Sequence, residues 1–246
     1  MARLLVRALL IGASALFVAA LWLRDTAPPR ETLRPDILAE PLQQPTGKAP
    51  FETTVSGVTY TVKPLFTYDL RGLVVSRHAG DSWTDYLHRA WNDNLNVVDL
   101  CVVWGDNVSG ADLGSMSFSS GQFQCFWETK SDAAWKSFDQ YQISNNHLLT
   151  DNAAVAKRLK DVRVGDQVHL RGYLAEYTHH HGFDFKRGTS IVRTDTGNGA
   201  CETVFVEDFE NLARGGGPWR ALYWVALGLL ALGIVGWLAL PPTVDD

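Results

Sequence analysis

Among the residues best suited to chemistry, His147 in the stretch SNNHLLTDN comes first. An imidazole titrates near neutral pH and can act as general base, general acid or metal ligand. Ser144, Asn145, Asn146 and Asp151 surround it with hydrogen-bonding side chains, for which a capping or loop role is the simpler reading. Asp195 in RTDTGNGACE and Asp106 in WGDN are carboxylates that, with His147, could form an acid/base pair for hydrolysis if the fold brought them together. His179, His180 and His181 are weak candidates for a metal site. Consecutive residues on a hairpin point alternately to opposite faces and rarely close on one ion, so an exposed loop tip is expected there.

Several specific chemistries lack their sequence support. Asp195-Thr196-Gly197 matches the tripeptide of pepsin-like and retroviral aspartic proteases, but no second copy occurs and Arg193 and Thr194, not an apolar strand, precede it. A turn in which Asp195 and Asn198 bond their own backbone is the plainer account. No HExxH, CxxC, GxSxG, phosphate-binding or dinucleotide loop is present, and no cofactor is expected. Trp91 to Asn94 and Trp104 to Asn107 place aromatic rings beside amides and carboxylates, as in many sugar and peptide sites and in many well-packed β domains. Of the three cysteines, Cys101 and Cys125 sit in apolar runs, NVVDLCVVW and FQCFW, that suit neighbouring strands, and are the first choice for a disulfide if the domain is exported. Three buried reduced thiols remain the alternative. Thiol redox chemistry at Cys201 would need a nearby cation and a resolving thiol.

The elements that must position these residues are mainly strands. Alternating or β-branched runs at 57–62, 65–76, 96–104, 122–128, 167–177, 189–194 and 202–209 are separated by Gly, Asp and Asn. Two short helices are expected, one over 82–91 and one capped by Thr150 or Asp151, running to about Lys160 with Val155, Leu159 and Val162 on one face. In 162–177 a Gly165-Asp166 turn leads into a strand with Val168, Leu170 and Leu174 inward and His169, Arg171 and Tyr173 outward, like a strand of an OB-fold. The expected class is mainly β with two short helices, as a small barrel, OB-like, or a sandwich, flanked by N- and C-terminal transmembrane helices.

The ends are apolar. Residues 221–240 carry no charge and are long enough to span about 30 Å of hydrocarbon as a helix, with Trp219, Tyr223, Trp224 and Trp237 near the interfaces and Pro241 and Pro242 as the stop. Residues 8–23 are uncharged between Arg7 and Arg24 and suit an uncleaved anchor or a secretory signal. The division expected is an anchor or signal at 1–24, a proline-rich spacer at 25–50, a β-rich domain at 51–213, a glycine hinge at 214–219, a transmembrane helix at 220–240 and a tail at 241–246. The arginines flanking the domain argue for the cytosol by simple counting, but long domains translocate regardless of such charge, and the arginine-bearing first segment favours export. Between 51 and 212 there are 14 Lys plus Arg against 21 Asp plus Glu, with no basic cluster, so nucleic acid is not an expected partner.

The phrases GLVVS, WNDNLNVVDLCVVWGDN, SNNHLL, VGDQVHLRGYLAEY and RTDTGNGACETVFV together resemble a group of uncharacterised bacterial envelope proteins, over most of residues 58–209. The resemblance implies a bacterial origin and an inner-membrane address, and assigns no catalytic residue. The function expected is a non-enzymatic, periplasmic binding or assembly module, held near the bilayer for an envelope protein partner. An envelope hydrolase with a carboxylate/histidine site, or a cytosol-facing anchored domain, are the alternatives.

Overall fold

A computed structural model describes residues 1–195, 197 and 199–240; Thr196, Asn198 and the 241–246 tail lie outside the described residues, and with them the turn assigned to Asn198 and the proline stop at Pro241 and Pro242. The chain forms two compact units, one of Met1–Pro28 with the chain from Gly215 onward, the other of Pro29–Arg214.

The first unit is an antiparallel pair of helices. α1 (Ala2–Leu23) and, at the other end of the chain, the last helix (Trp219–Ala239) are both long and apolar enough to cross a membrane. The helices approach closely at Gly233, since a Cβ there would meet Leu10 Cδ2 at 2.6 Å. Such small residues let helices pack where the surroundings are as apolar as the side chains. Phe17 lies against Tyr223, with ring centres 5.2 Å apart, and the Arg24 guanidinium covers the Tyr223 ring at 4.1 Å.

The second unit holds β1 (Leu42–Pro45), β2 (Phe51–Val55), β3 (Val58–Ala79), α2 (Leu87–Ala90), β4 (Asn96–Val103), α3 (Asp106–Ser109), β5 (Met116–Gly121), β6 (Gln124–Thr129), α4 (Asp132–Ser137), β7 (Ile143–Leu149), α5 (Ala153–Lys160), β8 (Gln167–His179), β9 (Phe185–Arg187) and β10 (Glu202–Ala213); the last helix is α6. The pairings of β3 with β4, β4 with β7, β7 with β10, β10 with β8 and β8 with β3 form a closed circuit, in which only β7 and β10 run parallel. β5 and β6 form a separate hairpin. Val98, Leu100 and Val102 of β4 join Leu148, Leu170, Leu174, Val204 and Phe209 in the main core, which Val155, Leu159 and Val162 on and after α5 complete. The opposite face of β4 is also covered: Cys101 and Val103 pack in a second cluster with Met116, Phe118 and Trp127 of the hairpin. All eight residues of β4 are therefore buried.

The mainly β class with terminal membrane-length helices holds, and its details shift. The runs at 57–62 and 65–76 are one strand, β3, bulged beside Pro64, where a missing N–H is tolerated. Residues 189–194 are not a strand, because Arg193 turns inward to Glu202 at 2.7 Å. Conversely 143–149, taken as a loop, is β7. The helix over 82–91 shrinks to α2, and α5 is capped by Asn152, whose side chain accepts from Ala154 N and Val155 N, rather than by Thr150 or Asp151. His169 is not outward in solvent but buried against Asp69, at 2.9 Å. Residues 29–50 are packed rather than free, with Ile37 fully buried in the second cluster and Trp104 Nε1 donating to Glu40 Oε2 at 2.8 Å.

Gly172 of β8 fixes how closely β8 and β10 approach, for a Cβ there would stand 1.9 Å from the Phe205 carbonyl oxygen. Gly172→Ala is expected to cost about 1–3 kcal/mol, the usual range for overpacking, read as a lower urea midpoint with an unchanged slope.

Candidate functional site

β4 and β7 run side by side in a register that pairs Asp99 with His147 and Cys101 with Asn145. β10 joins on the far side of β7, with Glu202 opposite Asn146, so Cys201, one residue earlier, stands beside Asn145. Three adjacent strands thereby deliver a carboxylate, an imidazole and a thiol to one face of the sheet. His147 Nδ1 lies 2.8 Å from Asp99 Oδ1, with the carboxylate off the axis of the ring N–H, and both side chains are 1% exposed. Cys201 Sγ accepts from Asn145 Nδ2 at 3.6 Å and donates to Phe123 O at 3.7 Å, and it stands close enough to the imidazole to favour its charged form. Burial, and to a smaller extent the Arg187 charge, pull the His147 pKa down, but the Asp99 charge and the polar groups of Asp99 and Cys201 beside the ring outweigh them and lift it to about 9. Asp99 is held below the usual carboxylate range despite burial, chiefly by the charge of His147.

The loop carrying Cys201 is pinned on three sides. Ser190 N donates to Cys201 O at 2.9 Å, Thr203 N to Thr189 Oγ1 at 2.9 Å, and Arg193 holds Glu202. The tip of the β5–β6 hairpin covers the site. Phe123, with φ of 64°, stacks on Trp91 at 5.3 Å, meets His147 edge-on at 5.6 Å and lies under the Arg187 guanidinium at 3.6 Å. A positive φ is costly for a bulky residue and persists where the surroundings over-determine it. A disulfide between Cys101 and Cys125, with Cα atoms 5.9 Å apart, ties this hairpin to β4 two residues beyond Asp99 and two beyond Phe123. Beneath the hairpin is a cavity of about 1020 Å³ lined by His147, Cys201, Asn145, Arg187, Asp195 and the rings of Trp91, Phe123, Phe126 and Trp127, among others.

A second polar cluster feeds the first. Asp85 Oδ2 stands 2.7 Å from His78 Nε2 and 2.6 Å from His88 Nδ1, and these three groups are close enough together to suggest a metal cage. The far side of His88 argues otherwise. Asn96 Nδ2 lies 2.9 Å from both His88 Nε2 and Asp99 Oδ1. A carboxylate only accepts, so that atom is the amide donor, and its second hydrogen needs a bare Nε2. His88 therefore carries its proton on Nδ1, toward Asp85, which suits a hydrogen-bonded set and leaves no lone pair there for a metal. The result is a chain from His78 through Asp85, His88 and Asn96 to Asp99 that orients the carboxylate facing His147.

Of the residues singled out in the sequence, His147 and Asp195 line the same cavity, where Asp195 accepts from Ser190 Oγ at 2.5 Å. Asp106 is exposed at the start of α3, outside that cavity. The three histidines do not form a common tip: His179 is buried, its Nε2 2.7 Å from Trp91 O and its Nδ1 accepting from His181 N, whereas His180 is exposed and pairs with Asp184 at 2.7 Å. Asp99 and Arg187 were not singled out. The signal for Asp99 was its position, one carboxylate in the apolar run NVVDLCVV, where a buried charge demands a partner; nothing in the sequence pointed to Arg187. Searches of protein-family models, curated proteins and solved structures return no match, so the chemistry rests on this geometry.

The raised His147 pKa has a signed consequence. Below about pH 6.5 folded and unfolded imidazoles are both protonated and the stabilisation from Asp99 is complete; as the pH climbs toward 9 only the folded protein holds the proton, and stability falls. Thermal unfolding of wild type is expected to weaken across that window. Asp99→Asn should be less stable at pH 6 and should lose this decline; an equal decline in both proteins would refute the pairing.

Proposed function

We propose that the chain is a membrane-anchored acyl hydrolase or transferase with Cys201 as nucleophile, carried on an OB-like β-barrel. The observation that carries this reading is the convergence of Asp99 on β4, His147 on β7 and Cys201 just before β10, with His147 and Cys201 lining the cavity. Thiol, imidazole and orienting carboxylate are the parts of a nucleophilic triad, recognised by role rather than by chain order. The five-strand circuit, with its single parallel pair and a helix between β7 and β8, follows OB-fold connectivity.

In this reading Cys201 attacks as a thiolate, with the His147 imidazolium beside it as counter-ion. The sulfur attacks the carbonyl carbon of an ester, thioester or amide, and the oxygen that takes up the electron pair accepts a hydrogen bond from Asn145 Nδ2. His147 then passes its proton to the leaving group as the carbon–heteroatom bond breaks, leaving an S-acyl enzyme. Unprotonated, it takes a proton from water or an acceptor alcohol or amine, which attacks the thioester and expels the thiolate. Asp99 keeps the ring oriented throughout and steadies its charged form.

This moves the reading from a non-enzymatic binding module toward an envelope enzyme. The two terminal helices support anchoring in a bilayer, and the Cys101–Cys125 disulfide supports a periplasmic address, since such bonds persist in oxidising compartments. A phosphatase or fluorescent-protein fusion after Gly121 reads the orientation: phosphatase activity without fluorescence is expected, and the reverse would return the domain to the cytosol.

The enzyme reading is tested with full-length protein in mild detergent and p-nitrophenyl acetate. A burst of nitrophenol and an S-acetylated Cys201 peptide are expected. Cys201→Ala should remove both, and Asn145→Ala should slow turnover about 10²- to 10³-fold, the usual loss of an oxyanion donor. Hydrolysis that survives intact in Cys201→Ala would sink the proposal.

A further inference from the structure

Arg187 is the last residue of β9, and it enters the cavity between Phe123 and His147, its guanidinium 3.6 Å above the Phe123 ring and Nη2 3.4 Å from His147 Nε2. Among the described residues no carboxylate pairs with it. Its neighbour Lys186 differs, lying 3.7 Å from Glu176 Oε2. A half-buried guanidinium that makes no ion pair among the described residues, its charge reaching Asp93 only at longer range, is an unusual thing to build into a cavity wall beside an imidazole. Desolvating it is unfavourable unless an anion completes it. The Phe123 ring holds the guanidinium in place, and the fork of N–H donors on an arginine is suited to bidentate capture of a carboxylate or phosphate.

We infer that the substrate carries an anionic group, carboxylate or phosphate, which docks on Arg187 a few atoms from the carbonyl attacked by Cys201, with an apolar portion against Trp91, Phe126 and Trp127. This rests on the nucleophile reading above and adds the class of compound taken. Arg187 Nη2 stands 3.4 Å from the imidazole beside Cys201, so an anion on the guanidinium is bound next to the reacting sulfur and lies between two cations once the ring is protonated. The cavity, at about 1020 Å³, has room for such a group together with an apolar tail.

The test uses a pair of small reagents that differ in one carboxylate. Iodoacetate and iodoacetamide both form an S–CH2 bond to the attacking thiolate and release iodide, and with Cys101 and Cys125 bonded to each other the unreduced chain offers only Cys201. Full-length protein in mild detergent is alkylated with each, and the ratio of the two rates is compared with that for N-acetylcysteine. The ratio should favour iodoacetate more in the protein than in the free thiol, should fall about tenfold in Arg187→Gln, as for loss of one charge-assisted contact, and should be largely kept in Arg187→Lys. The neutral reagent serves as the internal reference for folding and thiol reactivity in each variant. An identical ratio in wild type and Arg187→Gln, with Cys201 still fast toward iodoacetamide, would overturn the anionic substrate and leave the nucleophile standing. Alkylation by iodoacetamide no faster than that of N-acetylcysteine, and unchanged by His147→Gln, would overturn the nucleophile reading and this inference with it. Free orthophosphate or acetate slowing iodoacetate more than iodoacetamide would separate phosphate from carboxylate preference and supports the inference in either case.

Discussion

A carboxylate in the middle of a fully buried strand has to be answered by its surroundings, and in this fold Asp99 is that carboxylate. Its removal from water is unfavourable by several kcal/mol unless a positive charge and hydrogen-bond donors replace the lost hydration. His147 supplies the charge from the opposite position on β7, and the Asn96 amide supplies a donor. The amide is in turn fixed by His88, and His88 by Asp85 and His78. Each link has one sensible proton arrangement, because the carboxylates at Asp99 and Asp85 only accept. The network therefore sets side-chain orientation over a distance that no single bond spans, and the imidazole beside Cys201 inherits that order.

The second constraint is the cover. A site on the outer face of a sheet is ordinarily open to solvent, yet His147 and Asp99 are almost completely enclosed. The β5–β6 hairpin, held by the Cys101–Cys125 bond and the aromatic contacts of Phe123, makes an outer layer of what would otherwise be surface. Excluding water there strengthens every electrostatic interaction beneath it, which is why an ion pair at His147 can persist against its own desolvation.

How much of this could be read from the chain depends on whether a residue's role shows in its neighbours along the sequence. The terminal helices were legible because uncharged runs of 16 residues at 8–23 and 20 at 221–240 carry their own explanation, and β8 because Val168, Leu170 and Leu174 alternate with polar residues. β7 was not. Its inward Asn146 is satisfied by Leu100 O and Ser144 Oγ, so a core-facing strand is written in polar letters and looks like a loop. Residues 189–194 failed in the opposite sense, for β-branched residues there serve a loop that Arg193 folds back onto Glu202. His147 was found by type. Its partnership with Asp99 and Cys201 is a matter of register among three strands distant in sequence, which no local pattern contains.

That register carries a further meaning. Along β4, Val98, Leu100 and Val102 face the main core while Asp99, Cys101 and Val103 face the hairpin, and a slip of one residue would exchange the two sets. Asp99 would then enter the hydrocarbon interior and the disulfide could not close. The placing of Asp99 beside His147 and Cys201 and the filling of the core are thus one decision made once per molecule. A half-misfolded preparation should hold equal numbers of molecules with an ordered site and with none, not a uniform population of half-formed sites.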